Sequence, residues 1–195
     1  MKVGNFNISL MELGDIPESA KVLSIAMLNN PMHMAVFQGN GEDERLEIEK
    51  MFLDLFSTVP GIVFLAKAND NIIGVMRMKS CVGGKTTDEA QKPEDGNDIS
   101  SRKAIWHREW SNQDPQEQHW HLGPIGVLPA YRGKGIGSRL MERFCKEVDR
   151  CAAEAFLETD LDENVRFYEK FGFNLILEKV ILQIPNRFMV RDARL

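Results

Sequence analysis

Three glycines at alternate positions, Gly133, Gly135 and Gly137, stand between a strand-like run ending at Val127 and an apolar helical repeat at Ile136, Leu140, Phe144 and Val148. Glycine lets a chain turn tightly and bring its backbone against a ligand. The free N–H groups of the following helix's first turn, together with its dipole, then favour an anion. Arg132 and Lys134 add two cations at the rim of this turn. The plainer reading is an ordinary glycine-rich turn, and the spacing alone does not separate the two. It does separate the segment from two other phosphate sites. A P-loop needs GxxxxGK[ST], and Gly84-Lys85-Thr86 has only its last three letters; a dinucleotide fingerprint needs GxGxxG, whereas these glycines are spaced GxGxG.

Patterning elsewhere predicts one α/β domain over residues 1–195. Residues 5–11 alternate as a half-buried strand. A helix follows from Asp15, through Ile16, Ala20, Leu23 and Met27, until Asn29-Asn30-Pro31 stops it. A loop rich in Met, Gly and Asn leads to a helix over about 42–57. Residues 61–68 and 72–79 form a hairpin. From about 81 to 101 the composition turns polar and reads as a flexible surface insertion, and 102–110 as a short helix bearing Trp106 and Trp110. A strand over 118–127 is interrupted by Gly123-Pro124, where a bulge is expected because proline cannot donate a ladder bond. A helix (135–151), a strand (155–159), a helix (162–170) and a strand (173–182) follow, with a turn at Pro185-Asn186 into a last strand over 187–191.

Composition excludes several classes. A net charge of −5 speaks against a nucleic-acid binder working by phosphate neutralisation. No apolar run has the roughly eighteen residues of a membrane helix, and Met1 to Leu13 lacks a signal-peptide core. Cys81, Cys145 and Cys151 have no CxxC spacing, and His33, His107, His119 and His121 no HExxH pattern, so no disulfide framework and no metal site are expected. The thiols read as reduced, in a cytoplasmic protein.

The glycine segment resembles the acyl-CoA motif of the GNAT N-acetyltransferase superfamily, [Gln/Arg]-x-x-Gly-x-[Gly/Ala], with Arg132, Gly135 and Gly137 in its three places. A second signature of that family stands at the right distance: Asn164-Val-Arg-Phe-Tyr168-Glu-Lys-Phe-Gly172-Phe173. The likeness is strong from Trp120 to Phe173, topological only for residues 1–80, and absent over 81–117. It implies a central mixed, mostly antiparallel sheet with splayed fourth and fifth strands, flanked by helices. It also implies an enzyme that passes an acetyl or longer acyl group from acetyl-CoA to a primary amine, by direct attack in a ternary complex.

By that resemblance, Gly133, Lys134, Gly135, Ile136, Gly137 and Ser138 hold the pyrophosphate, with Arg132 shaping the turn. Backbone groups over Ile125, Gly126 and Val127 bond the pantetheine amides, and one N–H there polarises the thioester carbonyl. Asn164 falls where the family often contacts the pantetheine, although it also reads as a first-turn helix residue. Tyr168 takes the place of the general acid: a tyrosine, with a pKa of about 10, is protonated at neutral pH and can donate to a departing thiolate. Packing at helical spacing would explain the same residue.

The base is open. His119 and His121 flank Trp120 and so share a strand face; His121 lies six residues before Val127, where the family often carries a catalytic Glu and its aralkylamine members a His. An unperturbed imidazole, with a pKa of about 6.5, suits proton transfer near neutrality, and ordered water could serve instead. Cys145, mid-helix with no nearby histidine, is a poor nucleophile. The acceptor pocket of this fold would use Met27, Pro31 to Met34, Phe37 and the Trp106/Trp110 segment. A small amine is the favoured acceptor; a protein amine stays open, as does a homodimer. A non-catalytic acyl-CoA sensor is the alternative, keeping the glycine turn without needing Tyr168 or His121.

Overall fold

The computed structural model describes residues 6–83 and 97–194. Its strands are β1 (Asn7–Leu10), β2 (Ile62–Ala68), β3 (Asn71–Cys81), β4 (His119–Val127), β5 (Glu154–Thr159), β6 (Asn174–Ile181) and β7 (Ile184–Arg191). They form one sheet in the order β1-β2-β3-β4-β5-β7-β6, antiparallel throughout except for the β4–β5 pair. The helices are α1 (Ile16–Met27), α2 (Pro31–Phe37), α3 (Glu42–Thr58), α4 (Ile99–Ser111), α5 (Ile136–Arg150) and α6 (Asp162–Glu169). Among the described residues no helix is long and apolar enough to cross a membrane.

Strand alternation gives the sheet two cores. In β2, Val63 and Leu65 pack with α1, α2 and α3, whereas Phe64 and Ala66 pack with α5. Ile136, Leu140, Phe144 and Val148 of α5 are all buried, as their four-residue spacing requires. Each such side chain contributes roughly 1.5–3 kcal/mol. Arg191 of β7 is buried and donates through Nη2 to Asp149 of α5 (2.9 Å) and through Nε to the Phe171 carbonyl (2.9 Å), fixing the end of α6 to the sheet.

Three expectations need correction. The loop expected after α1 contains α2. Asn30 caps it by accepting from His33 N–H (3.1 Å), and Pro31 sits in its first turn, so the residues that stop one helix start the next. The final turn falls at Leu182-Gln183, both at positive φ (48° and 66°), rather than at Pro185-Asn186; Asn186 lies inside β7 and is fully buried. The polar insertion is shorter than expected: β3 runs on through Cys81 and α4 opens at Ile99, capped by Asp98 accepting from Ser101 N–H (2.8 Å). Residues 84–96 of that segment lie outside the described residues.

The expected splay is present. β4 pairs with β5 only over His119, Trp120 and His121, opposite Glu154, Ala155 and Phe156. In β4, Gly123 and Pro124 stand together opposite Arg77 alone, since Met76 pairs with Ile125 and Met78 with Leu122. The bulge therefore sits where β5 departs.

Candidate active site

Beyond His121, β4 keeps its antiparallel partner β3 on one edge and has no strand on the other. Leu128 N–H donates to Ile73 on the β3 side (3.0 Å). Because successive strand amides face opposite edges, those of Ile125 and Val127 face the open side. Gly126 serves packing: a Cβ there would lie 2.8 Å from Leu23 Cδ2 and 3.0 Å from Ala26 Cβ, so its absence lets α1 settle on β4.

The open edge leads to the glycine turn. Gly133 and Gly135 have φ of +71° and +82°, and a Cβ at either would meet nothing within 4 Å, so the turn is open on that side. Gly135 is the N-cap of α5, so the N–H groups of its first turn, from Ile136 through Gly137 and Ser138, have no partner within the helix. The Arg132 guanidinium is engaged with the Ala26 carbonyl (2.7 Å), tying the turn to α1, and Lys134 Nζ donates to the Ala130 carbonyl (2.8 Å) over the Tyr131 ring. These residues fit an amide-bearing arm ending in a pyrophosphate: an unpaired strand edge followed by an anion cradle.

A cavity of about 550 Å³ opens beside the parting strands. Tyr168, His121, Asn164 and Ile125 line it, so four of the expected site residues converge there. Tyr168 is 6% exposed and packs on Phe167 and Phe173. Burial, and then the carboxylates of Asp160 and Glu158, hold its hydroxyl well above the usual tyrosine range, so it keeps its proton. Asn164 donates to Thr159 Oγ1 (3.1 Å), orienting the amide at the cavity wall.

His121 Nε2–H donates to Glu158 Oε2 (2.8 Å), and the Glu158 side chain is only 2% exposed. Burial alone would lower the imidazole pKa; the Glu158 charge and the neighbouring Cys81 sulfur outweigh it and raise it to about 9. The ring is therefore half of an ion pair, unlike the free imidazole of the sequence reading. His119 does not line the cavity; its Nδ1–H donates to the Glu117 carbonyl (2.9 Å).

The far wall is apolar. Met27, Met32, His33, Trp106 and Trp110 line it as expected from sequence, whereas Met34 faces outward and Phe37 lies in the core. Met51, Phe52 and Leu55 of α3 complete it. His33 stacks edge-on against Trp106 and its Nδ1–H donates to Asn30 (2.9 Å). Asp160, which sequence reading passed over, accepts from Asn30 Nδ2 (2.8 Å) and Met32 N–H (2.7 Å), clamping α2 to the end of β5. Glu158 was passed over as well. Its one signal was strand alternation in β5, which places it on the Phe156 face, two residues along.

The sequence model of the acetyltransferase (GNAT) family matches residues 28–173. Solved structures share the fold at low identity. The histone acetyltransferase HPA2 and related acetyltransferase from Corynebacterium glutamicum superposes with a TM-score of 0.75 at 17% identity, covering 98% of each chain. Arylalkylamine N-acetyltransferase 2 from Aedes aegypti gives 0.70 at 16%, covering 98% of this chain and 100% of that one. A GNAT family acetyltransferase from Brucella melitensis, in complex with acetyl-CoA, gives 0.57 at 17%, covering 96% and 88%.

Two outcomes test this geometry. Gly135→Val places a β-branched residue at a φ of +82° in the turn, and calorimetric titration with CoA should show binding abolished in a variant that still folds; undiminished affinity would remove the cradle. Burial, with Lys103 adding, lowers His33 from 6.5 to about 4. Above pH 6.5 the ring is neutral in both folded and unfolded chains. As pH falls from 6.5 toward 4 only the unfolded chain takes up the proton, so stability drops by up to about 3 kcal/mol over that window. Urea unfolding of His33→Phe should lack this part of the acid loss; a parent-like acid profile would show that His33 is not held neutral.

Proposed function

Since the chain belongs to the GNAT acetyltransferase family, and is an acyl-CoA-dependent N-acetyltransferase using acetyl-CoA, we propose that its acceptor is a small primary amine with an apolar or aromatic body, acetylated by direct attack in the cavity beside β4. The observation that carries this reading is the continuity of the site: the unpaired edge of β4 at Ile125, Tyr168 and the Met/Trp wall border one cavity, and the same strand runs on through Val127 toward the glycine turn at Gly133 to Ser138.

When bound, acetyl-CoA supplies a thioester carbonyl open to attack and a thiolate leaving group. The chain's own groups do the rest. The N–H groups of Ile125 and Val127 hold the arm along β4, and one of them donates to the carbonyl oxygen as charge develops there. Tyr168, which stays protonated, gives its hydroxyl proton at the departing sulfur. Asn164 steadies the arm at the cavity rim. Glu158, the carboxylate of the His121–Glu158 pair, accepts the proton that leaves the amine, directly or through water. His119, which lies outside the cavity, is given no part in that step. The apolar wall takes the body of the amine, the methionines adapting to its shape.

Release of free thiol from acetyl-CoA, measured across a panel of amines, should be strongest with aromatic or apolar primary amines. Tyr168→Phe should lower kcat by about 10²–10⁴-fold while CoA affinity is kept. Release that no amine stimulates would sink the small-amine reading, and an unchanged kcat would remove Tyr168 from the mechanism. The non-catalytic sensor has no observation in its favour.

A further inference from the structure

The last residue of β3, Cys81, is paired in register with His119, and Lys79 with His121. Side chains two residues apart on an antiparallel pair share a face, so Cys81 meets one imidazole directly and the other on the diagonal. Its sulfur and one nitrogen of each ring lie within 4.8 Å of one another. The other nitrogens are already committed: His119 Nδ1–H to the Glu117 carbonyl and His121 Nε2–H to Glu158. That leaves His119 Nε2 and His121 Nδ1 turned inward and buried toward the Cys81 sulfur, with no nitrogen or oxygen hydrogen-bond partner among the described residues. His119 is 1% exposed. Asp114, on the loop after α4, brings Oδ1 to 3.7 Å from His121 Nδ1. A thiol is a weak hydrogen-bond partner for two buried imidazole nitrogens, whereas a thiolate and two imidazole lone pairs converging on one point are ligands for a metal ion.

We propose that Cys81, His119 and His121, with Asp114 as fourth ligand, form a binding site for one divalent transition-metal ion of the zinc type. One thiolate, two imidazoles and one carboxylate are a donor set suited to zinc, and the two negative charges offset the ion's two positive ones. With bonds of about 2.0–2.3 Å, a tetrahedral site needs neighbouring ligand atoms roughly 3.5 Å apart; those of Cys81, His119 and His121 lie within 4.8 Å of one another, and Asp114 Oδ1 lies 3.7 Å from His121 Nδ1. The outward bonds are those that orient metal-binding imidazoles: a carbonyl behind one ring and a carboxylate behind the other, each fixing the tautomer that leaves the inner nitrogen free. At His121 the ion replaces the proton on Nδ1 and leaves Nε2 and Glu158 facing the cavity.

Of the four ligands only His121 lines that cavity, where its ring positions Glu158, so the ion sits behind the reacting groups. It pins the end of β3 and the loop after α4 to the three residues of β4 that pair with β5, the point from which the strands part. The inference does not rest on the acceptor reading, and its test needs neither acetyl-CoA nor an amine.

Titrating the reduced, metal-free full chain with Co²⁺ should produce a thiolate-to-cobalt charge-transfer band and the visible bands of tetrahedral cobalt, saturating at one ion per chain and displaced by Zn²⁺. Cys81→Ser should lose the charge-transfer band. Glu158→Gln should weaken binding about 10- to 100-fold through the ring it orients. The double variant Cys145→Ser/Cys151→Ser should bind like the parent. If Cys81→Ser does not fold, alkylation of the native chain by iodoacetamide, mapped by mass spectrometry, takes its place: Zn²⁺ should protect Cys81 and leave Cys151 reactive. Absence of the charge-transfer band in the native chain, its survival in Cys81→Ser, or equal alkylation of Cys81 with and without Zn²⁺ would each overturn the site.

Discussion

Three residue pairs hold β4 against β5, and the site depends on their being only three. A parallel ladder carried further would satisfy the backbone of Ile125 to Val127 and leave no edge for a ligand. Instead Gly123 and Pro124 crowd opposite Arg77, and proline offers no N–H where a longer ladder would need one. The neighbour departs, and the edge it abandons is kept open from below: Gly126 draws α1 close, Arg132 ties the turn to the end of α1, and α5 begins with its amides free. Backbone groups left unpaired near a core cost free energy until something bonds them. A ligand with amides along its length and an anion at its end relieves that cost along the whole edge.

The carboxylates of Glu158 and Asp160 have two effects with one placement. Added to burial, they hold the Tyr168 hydroxyl protonated, and they set negative charge against the Arg77, Lys79 and Lys103 cations that line the same cavity. Neither effect needs a residue dedicated to it. Asp160 has a third task, since its oxygens are bonded to Asn30 and Met32 and so fix α2 at the cavity wall. The end of β5 thus sets both the electrostatics of the reacting groups and the position of the acceptor wall.

What sequence made legible was local. The glycine turn, the α5 repeat and the Asn164–Phe173 segment each lie within one stretch of chain, so periodicity and motif spacing found them. Turn chemistry misled where it was ambiguous: Asn30-Pro31 reads equally as a stop and as a start, and Leu182-Gln183 carries none of the glycine or asparagine that positive φ usually attracts. Glu158 and Asp160 were invisible for another reason. Their partners stand 37 and 128–130 residues away, and no window along the chain contains both ends of such a bond. The same holds for Cys81 and the two histidines. A search for CxxC or HExxH spacing sees ligands on one helix or loop, whereas these three meet only through the β3–β4 register.

The two halves of the site differ in how sequence writes them. The cofactor side is mostly backbone, shaped by glycines at positive φ and by a strand edge without a partner, so most side chains along it are free to vary. The acceptor side is the reverse. Its wall consists of the side chains of Met32, His33, Met51, Phe52, Trp106 and Trp110, carried on α2, α3 and α4. Changing those side chains alters the shape offered to the amine without touching the hydrogen bonds of β4. On the proposed function, acceptor choice is carried by the helical layer, and of its three helices α4 is the one joined to the sheet through the segment that follows Cys81. Trp110 is held from the sheet side by Asn186, its Nε1–H donating at 3.0 Å, so part of this wall is positioned by β7 rather than by its own helix. A change at Asn186 would thus reach the acceptor wall directly, through Trp110.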